Sequence, residues 1–299
     1  MKKTVFTGAG CAIVTPMNPD GSINYALLND LIDFQIENKT DAIVIAGTTG
    51  EASTFTDAEH INILYHAVKA VAGRVPVVAG AGSNDTAYAV ALSREAKTAG
   101  VDALLHVTPY YNKTSQKGLV KHFNAIADAT DLPIILYNVP SRTGMSISIN
   151  AYKELAKHPN IVATKEACGN ISAIAELAAE CDLDFYSGND DQIVPLLSLG
   201  SKGVISVVSN IMPRETHDIC RLFFEGDVAA SRKLQLDLLG LINNLFLDVN
   251  PIPVKAALEM MGYAVGSGRA PLDTLSDEHA AILKRSLERH GLIQSAHNG

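Results

Sequence analysis

Lys165 closes the apolar run Ile161-Val162-Ala163-Thr164, a position that suits a lysine to carbonyl chemistry. Apolar surroundings favour the neutral amine, the form that attacks a carbonyl carbon and yields an imine. An ion pair with the next residue, Glu166, is the plainer reading, and spacing alone does not separate the two. Tyr137 ends the preceding apolar run, where a phenol could hydrogen-bond an amine or a carbinolamine, or simply fill space as a rim aromatic. Thr48 and Thr49 stand in Gly47-Thr48-Thr49-Gly50-Glu51. They offer hydroxyls and free backbone N–H groups to a carboxylate, or merely cap a tight glycine turn. Arg142 carries the planar fork that matches a carboxylate, although a surface ion pair would use it equally well.

These side chains need a scaffold that brings the ends of separate runs together. Runs rich in Val, Ile, Leu or Ala recur at 11–15, 42–46, 75–79, 103–107, 134–137, 161–164, 185–187 and 204–207. Amphipathic stretches at 25–37, 57–71, 85–99, 115–129 and 171–179 separate them. Asn24, Thr56 and Ser172 read as helix starts, Gly73 and Gly100 as helix ends. Continuous rather than alternating apolar strands suit a parallel sheet buried on both faces. Eight strand–helix units in a row predict a closed (β/α)8 TIM barrel of the α/β class. The competing dinucleotide fold is disfavoured, because Gly80-Ala81-Gly82-Ser83-Asn84-Asp85 keeps only the first two glycines of its fingerprint. After Glu225 the strand pattern stops, and helices are predicted over 227–247, 253–261 and 277–290. The expected organisation is a catalytic barrel over 1–226 and a C-terminal helical region over 227–299, with a frayed polar tail from 294 onward.

In such a barrel the functional groups sit at the C-terminal ends of the strands and in the loops that follow. Thr48, Thr49, Tyr111, Tyr137, Arg142, Lys165, Gly188 and Ile205 all fall there. The acidic Asn189-Asp190-Asp191 after strand seven argues against a phosphate pocket, so an unphosphorylated substrate is expected.

Composition narrows the class. A formal net charge of −8 without a basic run disfavours nucleic acid as a partner. No stretch reaches the ~20 apolar residues of a membrane span, and the start Met1-Lys2-Lys3-Thr4-Val5 has no secretory character. Cys11, Cys168, Cys181 and Cys220 are scattered without a C-x-x-C pair, which reads as reduced, cytoplasmic thiols. The Asn-x-Ser/Thr triplets at Asn38, Asn84, Asn112 and Asn170 are then chance matches. His60 and His66 lack the i, i+4 spacing of a metal site, and the Thr48-Thr49 turn lacks the Gly-Lys-Ser/Thr ending of a nucleotide loop. No cofactor is expected.

Several blocks, in this order, resemble the dihydrodipicolinate synthase family. They are Gly47-Thr48-Thr49-Gly50-Glu51, Val107-Thr108-Pro109-Tyr110-Tyr111-Asn112, Tyr137-Asn138-Val139-Pro140-Ser141-Arg142-Thr143-Gly144, Lys165-Glu166-Ala167, Gly203-Val204-Ile205-Ser206 and Asn250-Pro251-Ile252-Pro253-Val254-Lys255. The resemblance implies that Lys165 forms an imine with pyruvate and that the enamine adds to L-aspartate 4-semialdehyde, in diaminopimelate and lysine biosynthesis. It implies a proton relay of Tyr137, Thr48 and Tyr111, with Tyr111 supplied by a neighbouring subunit. Thr49, Gly188 and the backbone near Ile205 would border the pyruvate, and Arg142 would take the carboxylate of the aldehyde. A homotetramer arranged as a dimer of dimers follows from the same resemblance. Thr48-Thr49 with Arg142 favours a small carboxylate-bearing aldehyde over the sugar substrates of the related N-acetylneuraminate lyases and ketodeoxygluconate aldolases. A barrel that binds a keto acid without turning it over is the remaining alternative. In lysine-sensitive relatives a histidine and a glutamate hold the inhibitor. Asp57 and Tyr88 stand at those positions here, so weak or absent inhibition by lysine is expected.

Overall fold

The computed structural model of the chain describes residues 2–294; the rest of the tail lies outside the described residues. Strands β1 (Gly8–Ala12), β2 (Ala42–Ile45), β3 (Val77–Gly80) and β4 (Ala103–Val107) alternate with helices α1 (Tyr25–Glu37), α2 (Asp57–Val71), α3 (Thr86–Ala99) and α4 (Gln116–Asp128). β5 (Ile134–Asn138) leads into the short α5 (Pro140–Thr143) and then α6 (Ile149–Leu155). β6 (Ile161–Glu166), α7 (Ile171–Glu180), β7 (Asp184–Ser187), α8 (Ile193–Leu197), β8 (Gly203–Ser206) and α9 (Pro213–Phe224) complete the repeat. The eight strands close in sequence order into one parallel barrel, as the repeat predicts. Beyond it α10 (Val228–Asn244) packs on α9, and α12 (Asp277–Arg289) packs on α10 and α11 (Ile252–Met260).

Alternation along each strand divides the apolar residues into two sets. Ala12, Val44, Val78, Leu105, Tyr137 and Ile205 fill the barrel interior, whereas Cys11, Ile43, Ile45, Leu104 and Leu136 lie under the helices. Both faces are dry, which explains the continuous apolar runs. Helix starts follow the expected capping chemistry: Asn24 Oδ1 accepts from Leu27 N, and Thr56 forms a reciprocal box with Glu59. α7 differs, being capped by Asn170 rather than Ser172, and α2 ends on Ala72 in the left-handed conformation rather than on Gly73.

Three strand boundaries shift for identifiable reasons. β1 spans 8–12 rather than 11–15; it starts where Gly8 pairs with Gly203 of β8, and it ends early because Val14 N is taken by Asn210 Oδ1 instead of a ladder carbonyl. Pro76 cannot donate to the ladder, so β3 begins at Val77. β6 runs two residues past Thr164, which puts Lys165 inside the strand and fixes the direction of its side chain. Among the described residues no helix is long and apolar enough to cross a membrane.

Candidate active site

The ladder between β5 and β6 sets the centre of the site. Tyr137 is the register partner of Lys165, and Asn138 of Glu166. Tyr137 and Lys165 therefore point into the barrel together, while Asn138 and Glu166 point outward. Lys165 Nζ stands 4.3 Å from the centroid of the Tyr137 ring, and both residues are buried. The ion-pair reading of Lys165 with Glu166 does not hold, because the Glu166 carboxylate lies on the other face and accepts from Asn138 Nδ2 (3.0 Å) and the Tyr152 phenol. Among the described residues Lys165 has no ion-pair partner within 4.0 Å. Asp190, buried just beyond β7, is the carboxyl on which the Lys165 charge acts. Burial pushes the Asp190 carboxyl up, and the N–H groups of Val208 and Val207 at 2.8 and 3.0 Å pull it back.

Thr48 and Thr49 sit on the loop after β2. Thr48 is exposed, whereas Thr49 is buried and its Oγ1 accepts from Asn250 Nδ2 at 3.0 Å. This loop is anchored by the C-terminal region. Lys255 Nζ pairs with Glu51 Oε1 at 2.7 Å with both side chains buried, and Arg269 N donates to Glu51 Oε2 at 2.9 Å. Burial depresses the Lys255 ammonium, and Glu51 opposes that shift. Breaking such a buried pair costs roughly 3–5 kcal/mol, so the loop that carries Thr48 and Thr49 is held hard in place.

Arg142 lies at the end of α5, exposed, with Nη2 donating to the Asn250 carbonyl at 3.1 Å. Among the described residues it makes no ion pair, so its charge is available to a ligand. Gly188 follows β7 beside Lys165. A Cβ there would sit 2.8 Å from Ala167 Cβ and 3.1 Å from Lys165 Cε, so a side chain would push the amine aside. Ile205 is fully buried on β8 and packs in the barrel interior with Tyr137.

Thr48, Thr49, Tyr137, Arg142, Lys165 and Gly188 converge on one cavity of about 220 Å³. Ile205 does not line it; Val207, two residues on, does. The volume lies below the ~300–1,000 Å³ of pockets for drug-sized ligands, so the occupant has few heavy atoms. None of the lining residues is acidic, although the chain carries a net −8, and two of them are cationic. An amine, a phenol, hydroxyls and a guanidinium around a small space suit covalent capture of a carbonyl compound that bears a carboxylate.

A second cavity of about 550 Å³ adjoins the first, sharing Thr48, Tyr137 and Arg142. His60, Tyr88 and Tyr110 line its far side. There the Tyr88 phenol donates to Asp57 Oδ1 at 2.8 Å, and burial together with that carboxylate pushes the phenol up to about 12. Tyr111 lines neither cavity. It is 93% exposed and held at φ 67°, a left-handed conformation that a bulky residue rarely adopts. Asn250, Glu51 and Lys255 stand in blocks already noted in the sequence, but their roles as props of the site depend on contacts that spacing does not reveal.

The sequence profile of the dihydrodipicolinate synthetase family matches residues 5–290. A 4-hydroxy-tetrahydrodipicolinate synthase of Lachnoclostridium phytofermentans is 56% identical over 292 residues, 97% of this chain and 99% of that protein. The crystal structure of dihydrodipicolinate synthase from Aquifex aeolicus superposes with a TM-score of 0.95 at 42% identity, covering 97% of this chain and 100% of that one. The chloride-inhibited dihydrodipicolinate synthase of Acinetobacter baumannii, solved with pyruvate, gives 0.94 at 41% identity, with 97% and 100% covered.

Proposed function

The chain belongs to the dihydrodipicolinate synthetase family, and from that premise we propose that it is a 4-hydroxy-tetrahydrodipicolinate synthase acting on pyruvate and L-aspartate 4-semialdehyde. The observation that carries the reading is Lys165, uncompensated by any ion pair among the described residues, beside Tyr137 in a small cavity free of acids. Lys165 Nζ attacks the keto carbon of pyruvate, and the carbinolamine hydroxyl leaves as water once a proton reaches it. Tyr137 delivers that proton and is reprotonated through Thr48 and Tyr111. The iminium draws electrons from the adjacent methyl group, which loses a proton to give the enamine. The enamine carbon then bonds to the aldehyde carbon of the second substrate, whose carbonyl oxygen takes up a proton to become a hydroxyl. Attack of that substrate's amino group on the iminium carbon frees Lys165. Thr49, Gly188 and the backbone near Ile205 border the pyruvate, and Arg142 holds the carboxylate of the aldehyde. The barrel over 1–226 is the catalytic unit, and the helical region over 227–299 supports it through Asn250 and Lys255. Four unpaired cysteines support a cytoplasmic setting.

A coupled assay with pyruvate tests the proposal by comparing aspartate semialdehyde with N-acetylmannosamine as acceptor. Turnover of the first and not the second is the expected result. Preference for the sugar would make the protein a sugar-acid lyase, and turnover of neither would leave a keto-acid-binding barrel.

The working unit we propose is a tetramer built as a dimer of dimers, with Tyr111 reaching into a neighbour's site. Its exposure and left-handed backbone support that role, since a strained aromatic presented to solvent is costly without a use. A Tyr111→Phe protein and a Lys165→Ala protein are each expected to be weak alone. Mixed and reassembled, they should recover activity, because some hybrid sites hold an intact Lys165 and an intact partner tyrosine. No recovery in hybrids verified by mass spectrometry would place each Tyr111 in its own subunit's site.

Inhibition by L-lysine is expected to be weak or absent. Tyr88 contributes no negative charge to the second cavity, and the one carboxylate it touches, Asp57, is engaged by its phenol. A lysine ammonium entering there would lose hydration without a free counter-ion. Titration of L-lysine into the assay checks this, and half-inhibition below about 1 mM, some 4 kcal/mol of binding, would show that another group supplies the missing charge.

A further inference from the structure

The outward-facing neighbours of the reactive pair form a network of their own. Asn138 follows Tyr137, Glu166 follows Lys165, and the two are partners across the β5–β6 ladder. On the outer face Asn138 Nδ2 donates to Glu166 Oε2 at 3.0 Å, and the Tyr152 phenol of α6 donates to Glu166 Oε1. Thr164 Oγ1 lies 3.1 Å from the Tyr152 hydroxyl and 3.4 Å from Glu166 Oε1. Ile147 N donates to Asn138 Oδ1 at 3.3 Å, tying in the loop ahead of α6. Glu166 is 2% exposed, and Asn138 and Tyr152 are each 4% exposed.

A carboxylate buried to this degree without a cation among the described residues is expensive, and apolar side chains would hold the strands together at less cost. Its placement suggests what it does instead. Asn138 and Glu166 are the last pair of the ladder, after which the strands part. Ala167 N donates to the Asn138 carbonyl at 2.9 Å, and Gly188 N to the Glu166 carbonyl at 2.7 Å, so the same two residues also anchor the rim beside Lys165. A cavity of about 240 Å³ lies behind them, lined by Asn138, Tyr152, Glu166 and Cys168, so packing alone does not hold this end of β6.

We infer that Glu166, with Asn138 and Tyr152, is a positioning unit that locks the end of the β5–β6 ladder and so sets where the Lys165 amine stands against the Tyr137 phenol. It rests on the Schiff-base reading above. Glu166 touches neither substrate nor the reacting atoms; it acts through the backbone of its neighbours.

The test uses Glu166→Gln and Tyr152→Phe in the full chain. Borohydride trapping of pyruvate gives the rate of imine formation and counts competent sites, and steady-state assays give kcat and KM per competent site. Both variants are expected to lose roughly tenfold to a hundredfold in trapping rate and in kcat, the scale of loss for an ångström of misplacement. KM for pyruvate and for the aldehyde should move less than about threefold, because binding groups are untouched. The double variant should be no worse than the worse single one, since the residues act as one unit. Tyr152→Phe keeps its ring in the core and removes one hydroxyl, so it tests the idea even if Glu166→Gln fails to fold. Folded variants that trap and turn over within about twofold of the parent would make the network structural only and overturn the inference. A parent protein that traps no pyruvate would remove the Schiff-base reading, and this inference with it.

Discussion

Lys165→Ala is expected to lower kcat/KM by at least about 10³-fold, some 4 kcal/mol of transition-state stabilisation. The loss is large because no other lysine lines the cavity or its neighbour, so nothing can take over covalent capture. Lys255 is the other buried lysine, but its Nζ is held by Glu51 and by the carbonyls of Thr15 and Ser267. It is therefore a structural cation, unsuited to attack a carbonyl. Stability should not fall with activity, because Lys165 Nζ makes no hydrogen bond or ion pair among the described residues. Retained activity in a folded, homogeneous Lys165→Ala protein would exclude the covalent route.

Arg142→Ala should discriminate between the two substrates. A forked pair of charge-assisted hydrogen bonds is worth roughly 1.5–3 kcal/mol per bond when desolvated. Arg142 is exposed in the free protein, so the lower part of that range applies after screening by solvent. The expected outcome is a loss of about 10²-fold in kcat/KM for the aldehyde, while the apparent affinity for pyruvate moves by less than about threefold. Arg142→Lys should recover only part of the loss, since an ammonium restores the charge without the fork. Equal losses for both substrates would mean that Arg142 matters through its bond to the Asn250 carbonyl, as a prop rather than a ligand.

Much of this was legible in the sequence because parallel barrel strands are buried on both faces. Runs such as Ala42–Ile45 and Val77–Gly80 had to be apolar throughout, and α1 and α2 fall on their amphipathic periods with Asn24 and Thr56 as caps. Lys165 and Tyr137 could be picked out because each closes such a run, and register then brings them face to face. What spacing could not reveal is long-range. Lys255 and Glu51, 204 positions apart, meet only once the C-terminal helices fold back on the barrel. The side of the strand that Glu166 faces depends on β6 continuing past Thr164, and an apolar run that ends at Thr164 gives no sign of that. The end of β1 differs for the converse reason: Ile13-Val14-Thr15 is as apolar as a strand, but the Val14 N–H leaves the ladder for Asn210.

The central claim is a covalent bond between pyruvate and one lysine. Incubation of the protein with pyruvate and sodium borohydride, followed by peptide mass mapping, tests it most directly. Reduction of the imine should leave a single carboxyethyl group on the peptide that contains Lys165, dependent on pyruvate and absent from Lys165→Ala. A label on Lys255, or no label in a protein that condenses the two substrates, would contradict the account.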